Sequence, residues 1–137
     1  MAGRFTQIYI HLVWTTKNRE QWISPEIQDS LLQYFQVVCA DLGCKLVAFG
    51  GMPDHVHLLI QLGTMYSIGE VVQGLKGGSA HRIAQEIALD PYFKWQRGYS
   101  AFSVNPDETD LVKRYILNQK AHHRDYTLVQ KWEYSEE

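Results

Sequence analysis

The chain has 137 residues, a length that suits one domain with a single substantial core. Its composition is that of an ordinary globular protein, 45% hydrophobic and 20% charged, and no window approaches the roughly 18 consecutive apolar residues that a membrane span needs. The formal net charge of −2 argues mildly against a nucleic-acid partner, although the basic residues cluster locally. We expect residues 1–137 to form one domain.

The N-terminal residues alternate polar and apolar side chains almost at once, which indicates a strand rather than a signal peptide. The two cysteines, Cys39 and Cys44, have neither a CxxC spacing nor the density of a disulfide framework. A reduced cytoplasmic setting without a membrane partner is the simplest prediction.

The first half of the chain predicts a strand, a helix and a hairpin. Alternation over residues 7–15 indicates a strand that is covered on both faces. Ser24 and Pro25 supply an N-cap and a first helical residue, and the helix that follows is expected to stop at Gly43. Residues 45–49 and 55–62 are typical of two strands joined by a Gly-Gly-Met-Pro-Asp turn.

The second half predicts a helix, a strand and a final helix. The helix over residues 68–87 carries glycines in its middle, so a kink or break is expected there. A fourth strand over residues 99–104 precedes Asn105, which should cap a helix with Glu108 at its third position and an end at His122 or beyond. The order βαββαβα predicts an α+β fold, a ferredoxin-like antiparallel sandwich with a helix appended at the C-terminus.

His55 and His57 stand at alternate positions of the third predicted strand, so their side chains project from the same face. Neutral imidazoles that converge in this way can bind one divalent cation. Two polar residues near a sheet edge would give the same short pattern, and for the pair alone this bland interpretation is favoured. A cupin-type metal site is excluded because Gln61 stands where it would need a glutamate ligand. A histidine-triad hydrolase is excluded because Leu59 stands where it would need a third histidine.

Tyr115 and Gln119 lie four residues apart on the last predicted helix and therefore share a face. Val112 and Ile116 form the adjacent apolar stripe that would seat this helix. For this pair alone, an amphipathic helix with a tyrosine at the core margin and a solvated glutamine is the favoured interpretation. In combination with the histidines, however, the amide oxygen would complete a three-ligand metal site beside a phenol that can act as a covalent nucleophile.

The stretch GGMPDHVHLLI, followed some 55 residues later by KRYILNQKAHHR, resembles the single-tyrosine transposases of the HUH superfamily. These enzymes belong to small hairpin-ended bacterial insertion sequences and to their REP-associated relatives. The resemblance extends over nearly the whole chain, from IYIHLVWTTKNR through VVQGLKGGSA to FKWQRGYSAFSV. It is specific because the PDHVH turn and the YxxxQ helix occur together in this order.

The resemblance implies an RRM-related ferredoxin-like fold in which the appended helix carries the catalytic tyrosine. It implies Tyr115 as the nucleophile, with His55, His57 and Gln119 as ligands of Mg²⁺ or Mn²⁺. It also implies single-stranded DNA with hairpin ends as the substrate, a 5′-phosphotyrosine intermediate, and a homodimer whose subunits can share active sites. Tyr126 is a competing nucleophile, but it lies seven residues after Gln119.

Basic residues of the last two predicted helices are candidates for DNA-backbone contacts, and those around Tyr115 are the better placed, although charges on helices more often form a solvated face. These tentative DNA-binding residues are Lys76, Arg82, Lys113, Arg114, Lys120, His122 and Arg124. Trp95, Tyr99 and Phe102 can stack on unpaired bases or pack in the core, and the two interpretations are about equal. His11 is better explained as a satisfied core histidine than as a partner of the histidine pair.

Two other functions remain open on the sequence alone. The metal site can serve a phosphodiesterase that uses water, with Tyr115 purely structural. Alternatively, the chain can be a domesticated single-stranded nucleic-acid-binding module that does not cleave. The complete set of His55, His57, Tyr115 and Gln119 favours the transposase, because a decayed binding module is expected to lose one of them.

Overall fold

The computed structural model describes residues 5–87 and 93–119 together with Glu133. Four strands and three helices follow the predicted order. The strands are β1 (Tyr9–Thr15), β2 (Lys45–Met52), β3 (His55–Gln61) and β4 (Ser100–Val104). The helices are α1 (Pro25–Asp41), α2 (Ile68–Arg82) and α3 (Thr109–Leu117). Short 3₁₀ turns at Lys17–Arg19 and Pro106–Glu108 and a π-helical turn at Ile83–Ile87 complete the list.

The strands form one antiparallel sheet in the order β2-β3-β1-β4. This order, with helices between β1 and β2 and between β3 and β4, confirms the ferredoxin-like α+β prediction. The two central strands, β1 and β3, are buried along nearly their whole length. The site residues carried by β3 are therefore held by hydrogen-bonded neighbours on both sides.

The two faces of the sheet have different partners. Alternate residues of β1 and β3, such as Leu12, Trp14 and Leu58, pack with α1 and α2 in the larger core. On the opposite face, Leu59 packs with Val112 and other apolar residues of α3 and β4 in a smaller core. Because His55 and His57 alternate with the residues of the larger core, they share the face that α3 covers.

The beginning of α1 confirms the sequence prediction. The Ser24 hydroxyl accepts a hydrogen bond from the backbone N–H of Ile27 at 3.2 Å, and Pro25 occupies the first helical turn, where its missing N–H costs nothing. The chain leaves the helix through Gly43, whose φ of 70° lies in the left-handed region that glycine adopts without strain.

The hairpin between β2 and β3 is tighter than the sequence suggested. We expected Gly50 and Gly51 to belong to the turn, but both pair with β3, opposite His57 and Val56 respectively. Only Pro53 and Asp54 separate the two strands. The expected five-residue turn was wrong because the glycines reduce side-chain bulk within a strand instead of bending the chain.

The expected kink in the middle of α2 was also wrong. The helix runs without a break from Ile68 to Arg82, after a capping box in which Ser67 and Glu70 exchange side-chain-to-backbone hydrogen bonds. Gly78 lies so close to α1 that a Cβ atom there would overlap the Tyr34 hydroxyl. At this position the absence of a side chain serves the contact between α1 and α2.

The last helix begins later and less regularly than predicted. The Asn105 side chain accepts from the backbone N–H of Asp107 at 2.9 Å, but it caps a 3₁₀ turn, and Glu108 makes no capping box. Val112 and Ile116 are buried, as expected, whereas Leu111 is 50% exposed and does not share the buried face. The predicted extension of the helix to His122 lies outside the described residues.

Within the described part of the chain, no helix is long and apolar enough to cross a membrane. Cys39 and Cys44 are both free thiols, and burial raises the pKa of Cys39 to about 12. Cys39 is therefore an inert core residue at neutral pH. The assignment of residues 1–137 to one domain stays a prediction.

Candidate functional site

The hairpin and the sheet register place both histidines of β3 beneath α3. His57 is opposite Val13 of β1 and Gly50 of β2, so hydrogen-bonded strands flank it on both sides. The exposed fractions of His55 and His57 are 3% and 0%. Their ring centroids lie 5.2 Å apart, which confirms that the alternate spacing brings the two imidazoles to one face.

Asp54, the last residue of the turn between β2 and β3, holds the imidazole of His55. Nδ1 of His55 lies 2.7 Å from Oδ1 of Asp54, and the other carboxylate oxygen of Asp54 lies 3.4 Å from the Arg19 guanidinium. The hydrogen bond to His55, together with the charges of His55 and Arg19, holds the pKa of Asp54 below its usual value. A carboxylate in this position fixes the proton of His55 on Nδ1 and leaves Nε2 directed away from Asp54.

His57 has a comparable partner, which is a second histidine. Nδ1 of His57 lies 2.9 Å from Nε2 of His11 on β1, and both imidazoles are fully buried. Burial above all, and then the neighbouring charge of His57, lower the pKa of His11 to about 3, so His11 is neutral near pH 7. A neutral His11 can accept the Nδ1 proton of His57, and Nε2 of His57 then faces the site.

Helix α3 brings Tyr115 beside His57, and Gln119 follows two residues after the helix ends. Tyr115 is 4% exposed, and its ring centroid lies 6.1 Å from that of His57. Gln119 is 1% exposed, and its side-chain N–H donates to the backbone carbonyl of Tyr115 at 3.3 Å. This close approach depends on Gly50, because a Cβ atom there would overlap the carbonyl oxygen of Ile116.

Glu133 completes this group, and the sequence analysis missed it. Its Oε1 lies 3.2 Å from Nε2 of His57 and 3.8 Å from Nε2 of His55, and its Oε2 accepts a hydrogen bond from the Tyr115 hydroxyl. In the sequence it is one of several acids near the C-terminus, at no helical or strand spacing from the other site residues. No pattern could have singled it out, because its position depends on tertiary structure alone.

The donor atoms of this group suit a divalent cation. Among the described residues, ligand atoms of His55, His57 and Glu133 all lie within 4.8 Å of one another. Burial alone would raise the pKa of Glu133, but hydrogen bonds and charges from His57, Tyr115 and His55 outweigh it and bring that pKa below its usual value. The carboxylate is thus ionised near pH 7, and the outer nitrogens of both imidazoles already have partners, as metal-binding histidines usually do.

The structure separates two of the expected DNA-contact residues from this site. The Lys76 ammonium donates to the backbone carbonyls of Gln96 and Gly98 at 2.7 and 2.6 Å, and burial lowers its pKa. The Arg82 guanidinium lies 6.0 Å from the centre of the Tyr34 ring. These contacts favour a structural role for Lys76, and DNA contact by either residue stays a prediction.

Two further candidates lie on the solvent side of α3. Lys113 and Arg114 are exposed, and together with Asp110 and Leu117 they line a shallow cavity of about 330 Å³. They directly precede Tyr115 in sequence, but the phenol points in the opposite direction, toward the sheet. The other candidates, Lys120, His122 and Arg124, and the competing nucleophile Tyr126 lie outside the described residues.

The three aromatic residues considered for base stacking have different surroundings. Trp95 packs edge-to-face against Trp14 and Phe93, and its indole N–H donates to the Ser79 hydroxyl at 2.9 Å. These contacts support core packing for Trp95. Tyr99 is 38% exposed, and the Phe102 ring lies 5.8 Å from that of His11, so only Tyr99 presents much of its surface to solvent.

Comparison with known proteins assigns most of this chain to one protein family. A sequence model of the family described as "Transposase IS200 like" matches residues 4–119, which include His55, His57, Tyr115 and Gln119. The chain belongs to the IS200-like transposase family. It is 30% identical over 125 residues to the ISDra2 transposase TnpA of Deinococcus radiodurans, an alignment that covers 85% of this chain and 87% of that protein.

Solved structures agree with this assignment. This transposase superposes on the crystal structure of a candidate transposase from Deinococcus radiodurans R1 with a TM-score of 0.69 and 31% identity, covering 87% of this chain and 95% of that one. It also superposes on a REP-associated tyrosine transposase bound to a REP hairpin, with a TM-score of 0.65, 16% identity, and coverage of 90% and 74%. The second likeness supports the fold, and the first extends the family assignment to a solved structure.

Proposed function

We propose that this transposase cleaves and rejoins single-stranded DNA at hairpin ends through a covalent 5′-phosphotyrosine link to Tyr115. The observation that supports this most is the position of the Tyr115 side chain, whose hydroxyl points into a buried cluster of two imidazoles and a carboxylate. A tyrosine that only sealed the core would not need its hydroxyl among cation ligands. Membership of the family supports transposition in general, and the covalent mechanism is our proposal.

The cofactor we propose is Mg²⁺ or Mn²⁺, bound by His55 and His57 with Gln119 as a further ligand. When bound, a divalent cation would withdraw electrons from the phosphodiester and stabilise the negative charge that develops as its bond breaks. Asp54 and His11 hold the two imidazoles with their Nε2 atoms directed into the site. The hydrogen bond from Gln119 to the backbone of Tyr115 also ties the proposed ligand to the helix that carries the nucleophile.

In the reaction, the Tyr115 oxygen attacks the scissile phosphorus as its hydroxyl proton leaves. The bond from phosphorus to the 3′-oxygen breaks, and that oxygen takes up a proton and becomes a free 3′-hydroxyl. The 5′-phosphate stays on Tyr115 and keeps the energy of the broken bond, so no ATP is needed. In the reverse step a 3′-hydroxyl attacks the phosphotyrosine and joins two strands.

The substrate and partner follow from the same proposal. Lys113 and Arg114 on α3, with Lys120, His122 and Arg124 beyond it, would contact the DNA backbone, and Lys76 and Arg82 are weaker candidates. We also propose a homodimer, in which the tyrosine helix of one subunit can serve the histidines of the other. A cytoplasmic location stays a prediction.

The deciding experiment uses the full chain, labelled single-stranded hairpin oligonucleotides, and Mn²⁺ or Mg²⁺. We expect a protein–DNA adduct that survives denaturing gel electrophoresis and requires the cation. Peptide mapping should place the DNA on Tyr115. Cleavage without an adduct would favour the hydrolase, and binding without cleavage would favour the non-cleaving module; either outcome contradicts the proposal.

His11 provides a test of how the metal site is held. In His11→Leu, Nδ1 of His57 loses its buried partner, and we expect the affinity for Mn²⁺ to fall roughly 10–100-fold, as is usual when the outer partner of a metal ligand is lost. His11→Gln keeps a side-chain acceptor and should recover part of that loss. Calorimetric titration with Mn²⁺ measures the affinity, and thermal unfolding checks that the variants are folded. Equal affinity in His11→Leu and the unmodified protein would contradict this role.

A further inference from the structure

We infer that Glu133 is a functional residue of this transposase, at which one carboxylate oxygen binds the divalent cation and the other holds the hydroxyl of Tyr115. The inference rests on the proposed function, since it names a further residue of the same site. Glu133 lies beyond residues 4–119, the part of the chain that the family model matches. The structure alone therefore points to this residue.

The first reason is the way the two carboxylate oxygens are shared. Oε1 faces both imidazoles, at 3.2 Å from Nε2 of His57 and 3.8 Å from Nε2 of His55, while Oε2 accepts from the Tyr115 hydroxyl. The Glu133 side chain is only 14% exposed, so it is held inside the site instead of extending into solvent. A carboxylate in this position connects the cation ligands directly to the nucleophile.

The second reason is the chemistry of the cation. Two imidazoles by themselves suit zinc or copper, whereas Mg²⁺ and Mn²⁺ prefer oxygen ligands and, above all, carboxylates. Gln119 can offer only a neutral amide oxygen. An anionic oxygen from Glu133 would move the donor set toward the ions that the proposed reaction uses, and it would offset part of the cation's charge in a buried site.

The third reason concerns the position of the nucleophile. The Tyr115 ring is buried, but a phenol can still direct its hydroxyl to either side in the ring plane. The hydrogen bond to Glu133 fixes that direction toward the cation ligands. Because the same carboxylate would contact the cation, the nucleophilic oxygen and the cation would be placed together, which is what an in-line attack on phosphorus needs.

Mn²⁺ binding without DNA tests the ligand role. Calorimetry and the electron paramagnetic resonance signal of free Mn²⁺ would be followed for the full chain, for Glu133→Gln and Glu133→Ala, and for Glu26→Gln as a matched control on the exposed first turn of α1. We expect at least a roughly tenfold weaker affinity in Glu133→Ala, a smaller loss in Glu133→Gln, and no change in Glu26→Gln. Unchanged or tighter binding by Glu133→Ala would overturn the ligand role, because the carboxylate would then merely occupy the position of the ion.

Adduct formation at saturating Mn²⁺ tests the positioning role. Glu133→Ala should form the Tyr115 adduct at least roughly tenfold more slowly than the unmodified protein, even when the metal site is full. A full recovery of the rate at saturating Mn²⁺ would overturn this role. The two proposals fail in different ways: an unmodified protein that forms no adduct rejects the proposed function, whereas a normal adduct with a Glu133-independent Mn²⁺ affinity rejects only this inference.

Discussion

Replacing Tyr115 by phenylalanine is expected to abolish covalent DNA capture while leaving metal binding and hairpin binding in place. Phenylalanine keeps the ring that packs beside His57 and removes only the hydroxyl. Since the DNA link would be made through that oxygen, the adduct should fall to the background of the gel assay. Loss of the hydrogen bond to Glu133 should lower the free energy of unfolding by no more than about 1.5–3 kcal/mol, the usual range for a bond to a charged group.

Tyr66→Phe is the matched control for this experiment. It also removes one phenolic hydroxyl, but Tyr66 is 38% exposed and lies just before α2. Its adduct yield should equal that of the unmodified protein. An undiminished adduct in Tyr115→Phe would reject Tyr115 as the nucleophile, and peptide mapping would then have to examine Tyr126 first.

The second large effect is expected from a single methyl group at Gly50. A Cβ atom there would overlap the backbone carbonyl of Ile116, so Gly50→Ala must push α3 away from β2. Because a misplacement of about 1 Å can cost a reaction on the order of 100-fold, we expect a loss of that size in the rate of adduct formation. Overpacking should also lower the free energy of unfolding by roughly 1–3 kcal/mol. Single-turnover gel assays and urea denaturation measure the two quantities.

Two other glycines provide controls for the Gly50 experiment. Gly51 is the next residue of β2 but faces α1, where a Cβ would meet the flexible side chain of Gln28 at 3.0 Å. Gly51→Ala should therefore retain most of the adduct rate. Gly77 lies in α2 with no atom within 4 Å of an added Cβ, so Gly77→Ala should stabilise the protein by up to about 1 kcal/mol. Equal rates for Gly50→Ala and Gly51→Ala would show that the contact between Gly50 and α3 does not position Tyr115.

The site residues that could be predicted from the sequence are those whose spacing within one element decides their direction. His55 and His57 share a face because side chains alternate along a strand, and Tyr115 and Gln119 share one because helical neighbours lie four residues apart. The structure brings Tyr115 of α3 beside His57 of β3. Their assignment as metal ligands and nucleophile was made by resemblance and stays a prediction.

The roles that could not be predicted from the sequence depend on how strands and helices pack against one another. His11 was expected to be a satisfied core histidine, and it is buried as expected, but its partner is His57 itself. That pairing depends on the register between β1 and β3, which the sequence of either strand leaves open. Gly50 was placed in a turn because glycine is common in turns, whereas its importance comes from the helix packed above it. Glu133 had no periodic relation to any other site residue.

The hydrogen bond between His11 and His57 has a consequence for how the chain folds. The two residues are 46 positions apart, and Tyr115, Gln119 and Glu133 stand still later in the sequence, so no short segment can assemble the proposed site. Closing such long loops comes late in folding, after local helices and hairpins have formed. A divalent cation should therefore stabilise only the completed native state, slowing unfolding without accelerating refolding. A bound ion would therefore be found only on fully folded molecules.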